Sequence, residues 1–98
     1  MKLVVFAVLD TKAGAFLQPF FSLSRGVAIR QFTQAANDAG HDFCTFAGDF
    51  HLFEIGEFDQ ESGQLVPKPS VDLGTALQFQ TVEFGARNGG AAEVMPNG

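Results

Sequence analysis

The chain has no Trp, no Tyr and a single Cys among its 98 residues, and its six bases are outnumbered by eleven acids. Because Cys44 has no partner for an internal disulfide, nothing in the sequence requires an oxidising compartment. The apolar run from Leu3 to Leu9 is too short to cross a bilayer and lacks the layout of a signal peptide. We therefore expect no membrane partner and a cytoplasmic location, which for a viral gene means the host cytoplasm.

The few bases are unevenly distributed along the chain. Residues 1–37 contain four bases and one acid, whereas residues 38–98 contain two bases and ten acids. Such asymmetry is typical of an electrostatic binding face or a self-complementary surface, and solvated surface gives the same pattern. An acidic chain binds nucleic acid non-specifically only if its bases gather on one face, because phosphate neutralisation supplies most of that affinity.

Phenylalanine is abundant, with twelve residues, and 46% of the chain is apolar. Phe carries no polar group, so most of these rings are expected in a core or a subunit interface, with one or two exposed for stacking or partner contact. The composition and length predict one globular α+β domain at residues 1–84, followed by a flexible Gly-rich tail at residues 85–98.

The apolar pattern predicts a four- to five-stranded antiparallel or mixed sheet with one main α-helix on one face. A barrel-like or ferredoxin-like arrangement is compatible with it. Lys2 to Leu9 is predicted as a central strand, and Pro19 limits Ala15–Leu23 to an edge strand or an extended loop. A helix is predicted from about Ser24 to Ala39, and its apolar stripe comprises Ala28, Phe32, Ala35, Ala36 and Ala39.

The second half of the chain is predicted to be mostly strands. Phe50–Phe58 is expected to place Phe53 and Ile55 on one face and Leu52 and Phe58 on the other, with a bulge or close backbone approach at Gly56. The remaining predictions are a short strand at Phe43–Phe46, a hairpin loop at Asp59–Gly63, a return strand at Gln64–Val66 that Pro67 and Pro69 end, and a last strand at Leu77–Phe84 that pairs within the domain or with a second copy.

The polar clusters match no catalytic pattern. His41 and Cys44 lie three residues apart, but nothing marks either as an activated nucleophile. One acidic cluster contains candidate metal ligands without a recognised spacing: Asp49, His51, Glu54, Glu57 and Asp59. We therefore expect no enzyme, no metal and no cofactor.

Single-strand binders combine cationic side chains that follow the backbone with rings on which bases stack. In the basic third of the chain, three bases interleave with three phenylalanines; loop charges over core aromatics would give the same pattern. The predicted nucleic-acid-binding residues are Lys12, Arg25, Arg30 and Phe20.

Several motifs resemble the short nonstructural protein of gokushovirus-type microviruses, which are bacteriophages with single-stranded DNA genomes. The motifs cover residues 1–70 in order and comprise Asp10-Thr11-Lys12, Pro19-Phe20, Ala28-Ile29-Arg30-Gln31-Phe32 and the segment Asp49–Asp59 followed by Gly63. The resemblance implies a nonstructural protein with a role in DNA binding or in synthesis of the viral single strand.

Two functions follow as expectations. The first is a non-enzymatic phage accessory protein that binds single-stranded DNA during viral genome replication or packaging. The alternative is an oligomeric protein–protein interaction module that engages a host or capsid-assembly factor. In either case we expect a homodimer or a higher homo-oligomer, because twelve Phe exceed what a small core hides easily and edge strands such as Leu77–Phe84 seek partners.

The cationic residues generate a prediction. Lys12, Arg25 and Arg30 lie outside the acidic part of the sequence, so a track of three bases predicts a log–log salt slope of about −2 for single-stranded DNA. Arg30→Ala should weaken binding to all sequences and flatten that slope, whereas Arg87→Ala should change little. Titration of labelled single-stranded DNA at two salt concentrations measures both, and absence of any salt-sensitive binding would contradict the track.

Overall fold

The computed structural model describes residues 1–81, so the predicted tail and the end of the last predicted strand lie outside the described residues. Within this part of the chain there are five strands, three short or medium helices and one 3-10 turn at Ala47–Asp49. The elements are β1 (Lys2–Asp10), β2 (Ala15–Phe16), β3 (Phe20–Ser22), α1 (Arg25–Ala36), α2 (Asp42–Thr45), β4 (Phe50–Asp59), β5 (Leu65–Thr75) and α3 (Ala76–Phe79).

Strand β1 is the centre of the sheet, as its unbroken apolar run predicts. It pairs with β4 along one side and with both β2 and β3 along the other, and β5 pairs with the far side of β4. All of these pairings are antiparallel, and the path β2–β1–β4–β5 is open at both ends. The predicted α+β fold, with a five-stranded sheet and one main helix, is confirmed.

Helix α1 provides most of the helical side of the core. The hydroxyl of Ser24 accepts a hydrogen bond from the N–H of Val27, so Ser24 is the N-cap. The helix ends at Ala36, before the predicted Ala39, because the side-chain amide of Asn37 donates to the carbonyl of Thr33. The apolar stripe buries Ala28, Phe32 and Ala36 in one cluster with Phe6, Val8, Phe50 and Leu52 of the sheet.

Strand β4 carries a bulge where the glycine in its middle predicts one. The register between β1 and β4 shifts between Val5 and Phe6, which leaves Ile55 without a partner. A Cβ on Gly56 would lie 2.5 Å from the carbonyl oxygen of Val66, so only glycine fits at this crossing of two backbones. Both parts of the prediction for Gly56 are confirmed.

The hairpin loop between β4 and β5 lies at Asp59–Gly63, where the sequence predicts it. Gly63 adopts a φ of 74°, which glycine tolerates and most other residues avoid. The carboxylate of Asp59 accepts a hydrogen bond from the N–H of Glu61 at 2.9 Å, and this bond lowers the pKa of Asp59. The turn is therefore stabilised locally by its own polar groups.

Two of the predicted strands are wrong, because the segments are short helices that polar residues cap. Phe43–Phe46 was predicted as a strand, but Asp42–Thr45 is helical and the ring of His41 accepts a hydrogen bond from the N–H of Phe43. Of the described part of Leu77–Phe84, residues 77–79 belong to α3, where Thr75 and Gln78 form a capping box, and residues 80–81 are not in a strand. The edge strand on which one argument for self-association rested is therefore absent at residues 77–79.

The predicted end of the return strand at Pro67 is also wrong. Strand β5 continues through Pro67 and Pro69 to Thr75 and, among residues 1–81, pairs only with β4. Proline is tolerated in an edge strand because a missing N–H on the free side breaks no ladder hydrogen bond. The same missing N–H groups hinder another strand from pairing with this edge.

The burial of α1 generates a stability prediction. Phe32 is only 3% exposed and its ring contacts those of Phe43 and Phe79. Phe32→Ala should therefore lower the free energy of unfolding by about 3–5 kcal/mol. The matched control is Phe46→Ala, because Phe46 is 55% exposed, and it should change stability by less than about 0.5 kcal/mol. Chemical denaturation measures both, and equal midpoints for the two variants would contradict this core.

Candidate functional site

The two faces of the sheet differ because all the helical elements pack on one of them. Residues that pair directly across antiparallel strands share a face. Phe6 and Val8 lie in the core cluster with residues of α1, α3 and the 3-10 turn, so theirs is the helix side. The opposite surface, called the open face below, comprises Leu3, Val5, Ala7 and Leu9 of β1, Phe16 of β2, Phe21 of β3, His51, Phe53, Gly56 and Phe58 of β4, and Leu65, Pro67, Asp72 and Thr75 of β5.

Four phenylalanine rings form two pairs on the open face. The rings of Phe16 and Phe53 lie 5.4 Å apart at 77°, and those of Phe21 and Phe58 lie 5.4 Å apart at 74°. This edge-to-face geometry is the favourable one for aromatic pairs. Phe53 and Phe58 are half-buried, whereas Phe16 is 50% exposed and Phe21 is 46% exposed. Each pair therefore combines one anchored ring with one that solvent reaches.

The interruption between strands β2 and β3 places Phe16 and Phe21 on the same face of the sheet. Side chains alternate along a strand, so two residues five positions apart on one continuous strand would face opposite sides. Here β2 ends after Phe16, and β3 begins at Phe20 beyond Pro19. Phe16 then pairs with Leu9 and Phe21 with Val5, which brings both rings to the open face.

The bulge in β4 places the rings of Phe53 and Phe58 on the same face of the sheet. The sequence pattern predicted Phe53 and Phe58 on opposite faces, and this prediction is wrong. Phe53 pairs with Ala7 and Phe58 with Leu3, so the unpaired Ile55 between them shifts the alternation by one residue. The glycine in the middle of β4 was the signal in the sequence from which this shift could be deduced.

Near the second ring pair, the open face contains an apolar groove of about 280 Å³. Its walls come from β1, β4, β5 and the segment before β3, so it crosses the whole width of the sheet. The lining residues are Val5, Pro19, Phe21, Ile55, Gly56, Leu65, Val66 and Pro67. The side chain of Leu65 is exposed, which extends the apolar surface of the open face to the edge strand β5.

Acidic strand residues are concentrated on the helix side. Glu54, Glu57 and Asp59 pair with Phe6, Val4 and Lys2, all of which are even-numbered residues of β1 on that side. Asp72 is the one acid among the open-face residues defined above, and its Oδ2 lies 3.2 Å from Nδ1 of His51. The rest of the open face carries no ionisable side chain.

The bases on which the DNA-binding prediction rested lie on two elements, the turn after β1 and helix α1, and two of them have acidic neighbours. Lys12 lies in the turn between β1 and β2 and lines a surface cleft with acids that include Asp10 and Asp49. Arg25 begins α1, and its Nε lies 2.7 Å from Oε1 of Glu54. The expectation that these bases are free of acidic neighbours is thus wrong for two of them.

Arg30 and Phe20 lie on the helix side. Arg30 is exposed on α1, about 200° around the helix from the buried Ala28 at 100° per residue, so it projects away from the sheet. Phe20 is half-buried and its ring stacks on Phe6 with centroids 5.7 Å apart. The rings that solvent reaches on the sheet are those of Phe16 and Phe21 instead.

No group of three or more His, Cys, Asp or Glu side chains among residues 1–81 has a geometry that could hold a metal ion. Nor does any helix in this range have the length and apolar content needed to cross a membrane.

The fold and the open face define a small α+β protein with a single helical layer and, among residues 1–81, one aromatic sheet surface on which no helix packs. A family model described as phage ORF5 protein matches residues 3–79, which is most of the chain. The chain belongs to this family and is a phage protein, as its motifs predicted; the gokushovirus-type origin remains a prediction. No curated protein and no solved structure matches it.

Proposed function

We propose that this chain is a non-enzymatic phage accessory protein that binds single-stranded DNA on its open face, during replication or packaging of the viral genome in the host cytoplasm. The observation that carries the proposal is the presence of two ring pairs, each with one exposed ring, on the face of the antiparallel sheet where no described helix packs. Several single-strand binders stack unpaired bases on aromatic side chains of a sheet or an open barrel.

The spacing of the exposed rings suits this role. Phe16 pairs with Leu9 and Phe21 with Val5, so the two rings are anchored four residues apart along β1. At a rise of about 3.3 Å per residue, this corresponds to roughly 13 Å. Each ring can therefore accept its own base without blocking the other.

The net negative charge of the chain is concentrated away from this surface. The acids of β4 lie on the helix side, where Glu54 pairs with Arg25 and Glu57 with Lys68. These two ion pairs neutralise part of the acidic charge on that side of the sheet. Repulsion of phosphates is thus weaker at the open face than the formal charge of −5 implies.

The proposal predicts loss of binding when an exposed ring is removed. Base–aromatic stacking contributes about 1–3 kcal/mol per base, so Phe16→Ala and Phe21→Ala should each weaken single-stranded DNA binding by about 5- to 150-fold. Phe46→Ala removes an exposed ring on the helix side and is the matched control. Fluorescence anisotropy of a labelled oligonucleotide measures the affinities, with a duplex of the same sequence as the weakly bound competitor.

Two results would overturn this proposal. One is the absence of binding by the wild type at low ionic strength. The other is an equal loss for Phe16→Ala and Phe46→Ala, because the open face would then have no special role. Circular dichroism of each variant shows whether the sheet is intact.

A second function is favoured by a different observation, the apolar groove that reaches the exposed Leu65. Two flat sheet faces stack about 10 Å apart and bury their side chains between them, as in a β-sandwich. A second copy of this chain can cover the open face in this way. The proline-containing edge of β5 hinders edge-to-edge pairing, so association through the faces is the mode that the structure favours. The protein would then be an oligomeric interaction module.

Self-association predicts a dimer at micromolar concentrations. Phe21→Asp should convert it to a monomer because the substitution buries a charge in the contact. Phe46→Asp should leave the dimer intact, since Phe46 lies outside the open face. Light scattering after gel filtration measures the mass, and a monomeric wild type would remove this second function. Since both functions use one face, single-stranded DNA should dissociate such a dimer.

A further inference from the structure

We infer that the open face recognises the bases of single-stranded DNA and leaves the phosphates in solvent, so that binding depends little on salt and on sequence. This inference rests on the proposed function and specifies which part of the ligand the protein contacts. It replaces the cationic track as the source of affinity.

The distribution of charge supports contact through bases. Among residues 1–81, two bases are held in ion pairs on the helix side, Arg25 with Glu54 at 2.7 Å and Lys68 with Glu57 at 3.0 Å. The other three bases also lie off the open face: Lys2 is opposite Asp59 on the helix side, Lys12 is in a turn, and Arg30 projects from α1. None of these five Lys and Arg residues is among the open-face residues, so the two ring pairs have no Lys or Arg side chain beside them on that face.

The chemistry of the face matches the uncharged part of the ligand. Bases are flat, aromatic and neutral, and every base has a π-face on which a phenylalanine can stack. The only ionisable groups on the face, His51 and Asp72, contact each other at the end that carries the first ring pair. Few polar groups are therefore available to read the hydrogen-bonding edge of a base, which predicts tolerance of sequence.

Contact through bases predicts that the affinity for single-stranded DNA depends only weakly on salt concentration. On a single strand, the log–log slope is about −0.7 for each phosphate that a base neutralises. A face that neutralises at most one phosphate should lose less than about threefold in affinity between about 50 and 200 mM salt. Three neutralised phosphates, as the track of Lys12, Arg25 and Arg30 requires, would give a loss of about 18-fold over the same range.

The test compares two labelled strands of equal charge. One is an oligothymidylate of about 16 nucleotides, and the other is an abasic oligomer with the same number of phosphates. The full chain should bind the oligothymidylate, with less than about threefold loss across the salt range, and bind the abasic strand at least about tenfold more weakly. Equal affinity for the two strands would overturn recognition through bases while the proposed DNA binding stands. Failure to bind either strand would overturn the proposed function and this inference together.

Two variants separate stacking from apolar contact and from charge. Phe16→Leu keeps an apolar side chain but has no ring, so it should reduce oligothymidylate binding at least about fivefold, whereas Phe46→Leu should not. Arg30→Ala should leave the affinity and the salt slope unchanged, which is the opposite of what the cationic track predicts. A normal affinity for Phe16→Leu, or a flattened slope for Arg30→Ala, would count against contact through bases.

Discussion

One extra residue in β4 determines which side of the sheet its aromatic and acidic side chains occupy. Ile55 has no partner on β1, so the alternation of β4 reverses at Gly56. Before the bulge, Phe53 faces the open side; after it, Phe58 faces the open side and Glu57 the helix side. Without the bulge, Glu57 and Asp59 would share the open face with Phe53, and Phe58 would face the helix side. The close approach of Gly56 to the carbonyl of Val66 holds this irregularity in place.

A second irregularity, on the other side of β1, completes the surface. Pro19 separates β2 from β3, and the interruption lets Phe16 and Phe21 face the same way although they are an odd number of residues apart. The bulge in β4 and the interruption at Pro19 lie in separate parts of the sequence. Both determine which residues share a face because β2, β3 and β4 all pair with β1. The open face is therefore a property of the assembled sheet, and neither half of the chain has it alone.

This dependence explains what could be predicted from the sequence. The buried run of β1, the stripe of α1 and the glycine of β4 are local patterns, and each was recognised. The short helices after Gly40 and Thr75 were not, because single polar residues, His41 in one case and Thr75 in the other, stabilise them against a strand-like apolar pattern. The course of β5 through two prolines depends on its position at the edge, which is a tertiary fact.

The charged neighbours of the candidate site residues could not be predicted from the sequence either. Distance along the chain suggested that Arg25 has no acidic neighbour, but Glu54, 29 residues away, is brought to it by the packing of α1 on β4. Such pairs neutralise charge on the helix side and leave the open face almost free of it. Charges near a binding surface affect the binding of a charged ligand more than distant charges of the same chain do, because salt screens interactions between distant exposed charges. An acidic protein of this design can therefore approach a polyanion, provided that its contact is made by rings on the bases.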